Sequence, residues 1–232
     1  MILAFETSAK AASVALLEGG KLLGESFQNT GLTHSQTLLS MTEDLLTNCG
    51  KSADDVTAVA VAAGPGSFTG VRIGVAAAKG FAWGKELPCY GVSTLEAMAR
   101  SLDAWNGYVV PTMDARRDQT YTAVFKAENG KLSRVTEDAA ISYAELGEKL
   151  KNCENPIFLV GDGAVLCYNM LQEKVAGLVL PSEHRIHQRA SGVALIAQEM
   201  MDAGLPGDGN SLTPNYLRLS QAERERLSRE NR

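Results

Sequence analysis

One unit is written twice along this chain, with little identity between the copies but the same order of signals, and such a duplication confines the fold to two similar halves. The first copy opens with the apolar run Met1 to Phe5, which ends at Glu6-Thr7-Ser8. A second run, Ala12 to Leu17, leads through the turn Gly19-Gly20 into a third, Leu22 to Phe27, so the three read as an antiparallel meander. The second copy runs from Tyr108 to Met113, ends at Asp114-Ala115-Arg116, continues through Tyr121 to Phe125 and turns at Asn129-Gly130 before Lys131 to Val135. Each meander therefore carries an acid, Glu6 or Asp114, at the end of its first strand.

A helix follows each meander. Thr33 and Gln36 form a capping box, after which Leu38, Leu39, Met41, Leu45, Leu46 and Cys49 share one helical face; Ser142 and Glu145 open the counterpart. Short buried strands come next, Val56 to Ala62 and Ile157 to Val160, running into Gly64-Pro65-Gly66 and Gly161-Asp162-Gly163 and then into further helices. The first half adds a strand near Cys89 to Val92 and a capping box at Ser93 and Glu96, which places its end near Trp105-Asn106-Gly107. The expected architecture is βββαβα twice, an α/β protein with an N-terminal lobe over 1–105 and a smaller C-terminal lobe with a charged tail over 106–232.

Composition narrows the function classes. With 22 Lys and Arg against 27 Asp and Glu, the net charge of −5 gives no general basic surface for RNA or an acidic membrane. The longest apolar segment, Val71 to Trp83, falls short of the ~20 residues of a membrane span and carries Arg72 and Lys79, and no leader pattern opens the chain. A cytoplasmic protein is expected. Cys49, Cys89, Cys153 and Cys167 are scattered, and His34, His184 and His187 include no H-x-x-x-H pair, so neither a metal centre nor a disulfide framework is expected.

The segment Gly64 to Gly70 lies between strand and helix, where backbone N–H groups can hold an anion. It lacks the lysine of a phosphate-binding P-loop, and Pro65 removes a donor; close strand-to-helix packing explains its glycines equally well. Ser67 is no nucleophile-elbow serine, because Pro65 stands where that motif needs glycine. The helix from Gly70 to Trp83 is apolar almost all round, apart from a stripe of Arg72 and Lys79. Its own sheet needs only one face, so the surplus is covered either within this chain or by another protein, and the row Gly70, Gly74, Ala77, Phe81, which offers a close approach to a second helix, suggests the latter. On this reading Gly74→Leu blocks the partner and spares the fold.

Two halves of this kind resemble the actin, sugar-kinase and heat-shock ATPase superfamily. Five segments make the resemblance to its TsaB branch specific: Ile2 to Ser8, His34-Ser35 with Leu38-Leu39, Gly64 to Gly74, Met113 to Arg116 and Asn215-Tyr216-Leu217-Arg218. That resemblance implies a non-catalytic partner of TsaD, without cofactor or metal, in forming threonylcarbamoyladenosine beside the anticodon of tRNA. It further implies a heterodimer with TsaD, a larger complex with TsaE, a homodimer when alone and contact with tRNA only through the complex. The helix His34 to Cys49, with His34, Leu38, Met41 and Leu45, would join the partner interface. Glu6, Gly64, Gly66, Ser67, Asp114, Gly161 and Gly163 would be remnants of a nucleotide site, Glu6 standing one methylene, about 1.5 Å of covalent reach, beyond the aspartate of active relatives. A small-molecule kinase and a metal-dependent peptidase are the alternatives from other classes. The tail after Arg218, with Arg224, Arg226, Arg229 and Arg232 among glutamates, reads as a solvated helix or as a contact to tRNA phosphates.

Overall fold

The computed structural model describes residues 1–154 and 156–218; most of the charged tail lies outside them. The first half contains β1 (Ile2–Glu6), β2 (Ala12–Glu18), β3 (Lys21–Gln28), α1 (His34–Asn48), β4 (Ala58–Gly64), α2 (Phe68–Trp83), β5 (Cys89–Ser93) and α3 (Thr94–Arg100). The second contains β6 (Gly107–Asp114), β7 (Gln119–Thr122), β8 (Phe125–Glu128), β9 (Lys131–Arg134), β10 (Ala139–Ser142), α4 (Tyr143–Leu150), β11 (Ile157–Val160), α5 (Ala164–Leu171), β12 (Leu178–Val179), α6 (Glu183–Ile186) and α7 (Ala190–Asp202).

The two sheets have equivalent strand orders, β3-β2-β1-β4-β5 and β10-β7-β6-β11-β12, with the first strand of each half at the centre. In each, that strand is antiparallel to its hairpin partner and parallel to the strand after the helix. Because side chains alternate along a strand, β1 and β4 send Leu3, Phe5, Val59 and Val61 to a face covered by α1 and α2. Ile2, Ala4, Ala58, Ala60 and Ala62 go to the opposite face. Both faces are buried, which is why these strands read as continuous apolar runs.

That opposite face is covered by α7, through Ala190, Val193, Ala194 and Ala197. The helix belongs by sequence to the second half and by packing to the first, so a division at residue 106 does not separate the two cores. Helix α3 crosses the other way: Leu95, Met98 and Ala99 enter the core of the second sheet with Val109, Met113, Tyr121 and Phe125. The alanines of α7 suit the alanine-rich floor beneath it, and its one glycine, Gly192, lies against α3, where a Cβ would collide with the Ala97 carbonyl.

The second meander differs in detail from its reading. The expected strand Tyr121 to Phe125 is interrupted, β7 pairing with Thr112–Asp114 of β6 and β8 with Gly107–Val109. Val124 turns its backbone aside to accept from the N–H groups of Val135 and Thr136, and its own N–H donates to the Thr136 hydroxyl at 2.8 Å. The expected third strand, Lys131 to Val135, is β9 on the β8 side, and β10, which pattern did not give, pairs with β7. Of the three capping boxes, Ser93 and Ser142 do accept from the backbone N–H of Glu96 and Glu145. Thr33 makes no side-chain cap bond, and α1 starts on its carbonyl, which accepts from the Gln36 N–H at 2.9 Å.

Candidate functional site

Between the two halves lies a cleft of about 860 Å³, whose lining includes Lys10, Asp114, Arg116, Asp162, Gln188 and Arg218. Asp114 is at its surface, one carboxylate oxygen accepting the Arg116 N–H at 2.7 Å. Its counterpart Glu6 is not in the lining. Glu6 is 1% exposed, sealed beneath the turn between β1 and β2, and its Oε1 accepts the Ser8 N–H at 2.6 Å while Oε2 has no partner. Burial pushes its carboxyl up to about 7, against the opposing effect of the Ser8 hydrogen bonds, and Asp162 across the cleft adds to the rise. These residues do not fit a metal-bound phosphate: the acid that would position it is buried outside the cleft lining and is engaged by the Ser8 N–H.

The glycine segments are engaged in packing. A Cβ at Gly66 would stand 2.6 Å from the Ser8 carbonyl, which already accepts the Ser67 N–H at 2.7 Å. Ser67 caps α2, its hydroxyl accepting the Gly70 N–H at 3.3 Å. Gly64 has φ +116 and precedes a cis peptide to Pro65; a Cβ there would meet the Asn215 carbonyl at 2.5 Å. On the other wall, the Gly161 N–H donates to Ile186 and the Gly163 N–H to Thr112. Gln188, fully buried, donates to Asp162 at 3.0 Å and has an unpartnered Oε1.

The proposed interface residues divide. Leu38, Met41 and Leu45 are buried on the first sheet, each burial contributing roughly 1.5–3 kcal/mol, and are not available to a partner. His34 donates Nε2–H to the Ala9 carbonyl at 2.8 Å and thereby holds the β1–β2 turn. Gly70 and Gly74 face inward: Thr7 lies against both, its hydroxyl donating to the Gly70 carbonyl, and a Cβ at Gly74 would collide with the Thr7 hydroxyl and stand 3.2 Å from Val61. Those glycines bring α2 onto its own sheet, so Gly74→Leu attacks the core. Ala77 and Phe81 are half-buried.

Helix α2 has three faces. One is buried, and a second carries Arg72 and Lys79, which hold the returning chain at Tyr216 and Leu212. The third carries exposed Ala76 and Gly80, with Ile73 and Ala77 half-buried against the first core at its edge. Leu39 is 66% exposed and Trp83 84%. The row that periodicity offered, Gly70, Gly74, Ala77 and Phe81, is not an outward one: its glycines are buried and the other two lie half-buried against the first core. Sequence reasoning missed the seat on Arg72 and Lys79, although their seven-residue spacing on an apolar helix was its signal. Among the described residues no group of three or more His, Cys, Asp or Glu is arranged to hold a metal.

A duplicated pair of sheets with this strand order, helices on both faces and a cleft between, defines an actin-like protein of the ribonuclease H type. Residues 28–226 match a family model described as "TsaD: tRNA N6-adenosine threonylcarbamoyltransferase". The tRNA threonylcarbamoyladenosine biosynthesis protein TsaB of Bacillus subtilis is 34% identical, with 96% of each chain covered. The protein of that name from Escherichia coli is 35% identical over 95% of this chain and 96% of its own. A crystal structure of an uncharacterized Pseudomonas aeruginosa protein, described as similar to peptidase YEAZ, superposes with a TM-score of 0.78 at 25% identity, covering 94% of this chain and 99% of its own. The chain belongs to the TsaB family.

Proposed function

We propose that this chain is a non-catalytic partner of TsaD in forming threonylcarbamoyladenosine in tRNA, binding TsaD through the outward face of α1 and α2. The observation that carries the reading is Glu6. An acid buried outside the cleft lining, its carboxyl pushed up to about 7 and one oxygen held by the Ser8 N–H, is a part of the fold, not a ligand for a reacting phosphate. The relatives' names supply the pathway. The apolar surplus of α2 supports the contact: Ala76 and Gly80 are exposed small residues on it, Trp83 is an exposed aromatic at its end, and α1 adds the exposed Leu39, a composition suited to an interface centre. The interface residues are accordingly Leu39, Ile73, Ala76, Ala77, Gly80 and Trp83, with Phe81 at the margin. TsaE joins the TsaD-bound form, tRNA is met through the complex, and the same face pairs two copies when TsaD is absent.

The test is to mix the purified chain with TsaD from the same organism, size the mixture, and measure threonylcarbamoyladenosine formation with and without the chain. A heterodimer and a rise in product are expected. Failure of TsaD to bind, or ATP turnover by the isolated chain, would sink the proposal.

A further inference from the structure

After α7 the chain returns along α2 and crosses to the second half. Leu212 enters the core under α2, and Lys79 donates to its carbonyl at 3.1 Å. The Asn215 N–H donates to the Ala63 carbonyl at 2.6 Å, at the end of β4 where Gly64 leaves room for it. Tyr216 stacks on Phe68 with centroids 4.6 Å apart, and its hydroxyl accepts from Arg72 Nε at 2.7 Å. Leu217 then packs on the core of the second sheet, and the Arg218 guanidinium donates to the carbonyls of Ala115 and Arg116. Its target is a turn in which Arg116, Arg117 and Asp118 all have positive φ, between +55 and +65. Three consecutive non-glycine residues in that region are strained and need an external hold.

We propose that residues 210–218 are a latch: seated on the Arg72 and Lys79 stripe of α2, they grip the 115–118 turn through Arg218 and so set the opening of the cleft. Tyr216 and Arg218 are positioning residues. The latch lies on the face of α2 beside its outward one, so a protein docked there is coupled to the cleft opening, an extension that rests on the TsaD reading above.

The test is hydrogen exchange on the full chain, comparing Arg218→Ala, Arg218→Lys and Tyr216→Phe with the parent. In Arg218→Ala, amides of residues 113–119 should exchange about tenfold faster or more, the weight of a charge-assisted hydrogen bond. Amides of β1 and β4 should not change, and Arg218→Lys should recover part of the protection. Unchanged exchange at 113–119 overturns the latch. So does acceleration spread evenly over both sheets in Arg218→Ala and also in the mild Tyr216→Phe, since that pattern makes the segment ordinary core. Added TsaD should slow exchange at 113–119 as well as in α2, and Arg218→Ala should lose the first effect and keep the second. TsaD that protects α2 alone overturns the coupling. If TsaD fails to bind the parent chain, the functional reading fails, and the free-chain comparison still decides the latch.

Discussion

Glu6 shows how one side chain separates a fold from the chemistry usually hosted on it. Its folded carboxyl is raised from 4.5 to about 7, so the native state binds the proton more tightly than the unfolded chain does. Below pH 4.5 both states are protonated and the group costs nothing. The penalty grows between 4.5 and 7 and is complete above, where it reaches about 3 kcal/mol at 1.36 kcal/mol per unit. Glu6→Gln should therefore melt higher than the parent at pH 8, at about 2–4 °C per kcal/mol, and lose that advantage at pH 4.5. Melting curves across that range are the check, and a parent advantage at pH 8 would refute the assignment. Position 6 was legible as the end of a strand, and its paired acid at Asp114 was legible from the repeat. Its burial was not, because strand pattern does not say that the Ser8 N–H will turn back onto the carboxylate, or that His34 from another element will hold the turn at Ala9.

At the scale of elements, strand alternation and helical period located nearly every segment, since a half-buried element must repeat its apolar positions. Helix α2 defeats that logic. A helix apolar almost all round carries no information about which side is inside, and the choice is made by Thr7 pressing on Gly70 and Gly74. Gly74→Ala should lower the melting temperature, because the added methyl meets the Thr7 hydroxyl and Val61. Gly80→Ala, with nothing within 4 Å, should raise stability by about 1 kcal/mol through helix preference alone. Equal effects of the two in parallel thermal melts would contradict an inward Gly74 and an outward Gly80. On the outward face, Trp83→Ala should weaken TsaD binding by roughly 30-fold, the value of a hot-spot aromatic, with little change in melting. Titration calorimetry beside a melt separates the two. The break at Val124 left no sequence signal, because its faces alternate normally through it while the backbone bonds leave the ladder.

The whole molecule is less divisible than its repeat suggests. A break at residue 106 follows the duplication faithfully, yet α7 completes the first sheet from the far end of the chain, and pattern alone cannot say which of two similar floors a helix will cover. A fragment of residues 1–105 should not fold, since Ile2, Ala4, Ala15, Leu17, Ala58, Ala60 and Ala62 would face water without α7. Weak circular dichroism with strong dye binding is the expected result; a cooperative melt would restore the boundary. The crossing also orders events in time. Chains are made from the N-terminus, and at about 5–20 residues per second the ribosome needs on the order of five to twenty seconds to go from the end of α3 to the start of α7. For that interval the half synthesised first holds an open apolar floor, while the half synthesised second can close around its own strands with α3 already waiting. The first lobe to be born is the last to be finished, and a message cut short before α7 leaves that lobe with its floor open, a substrate for chaperones and proteases.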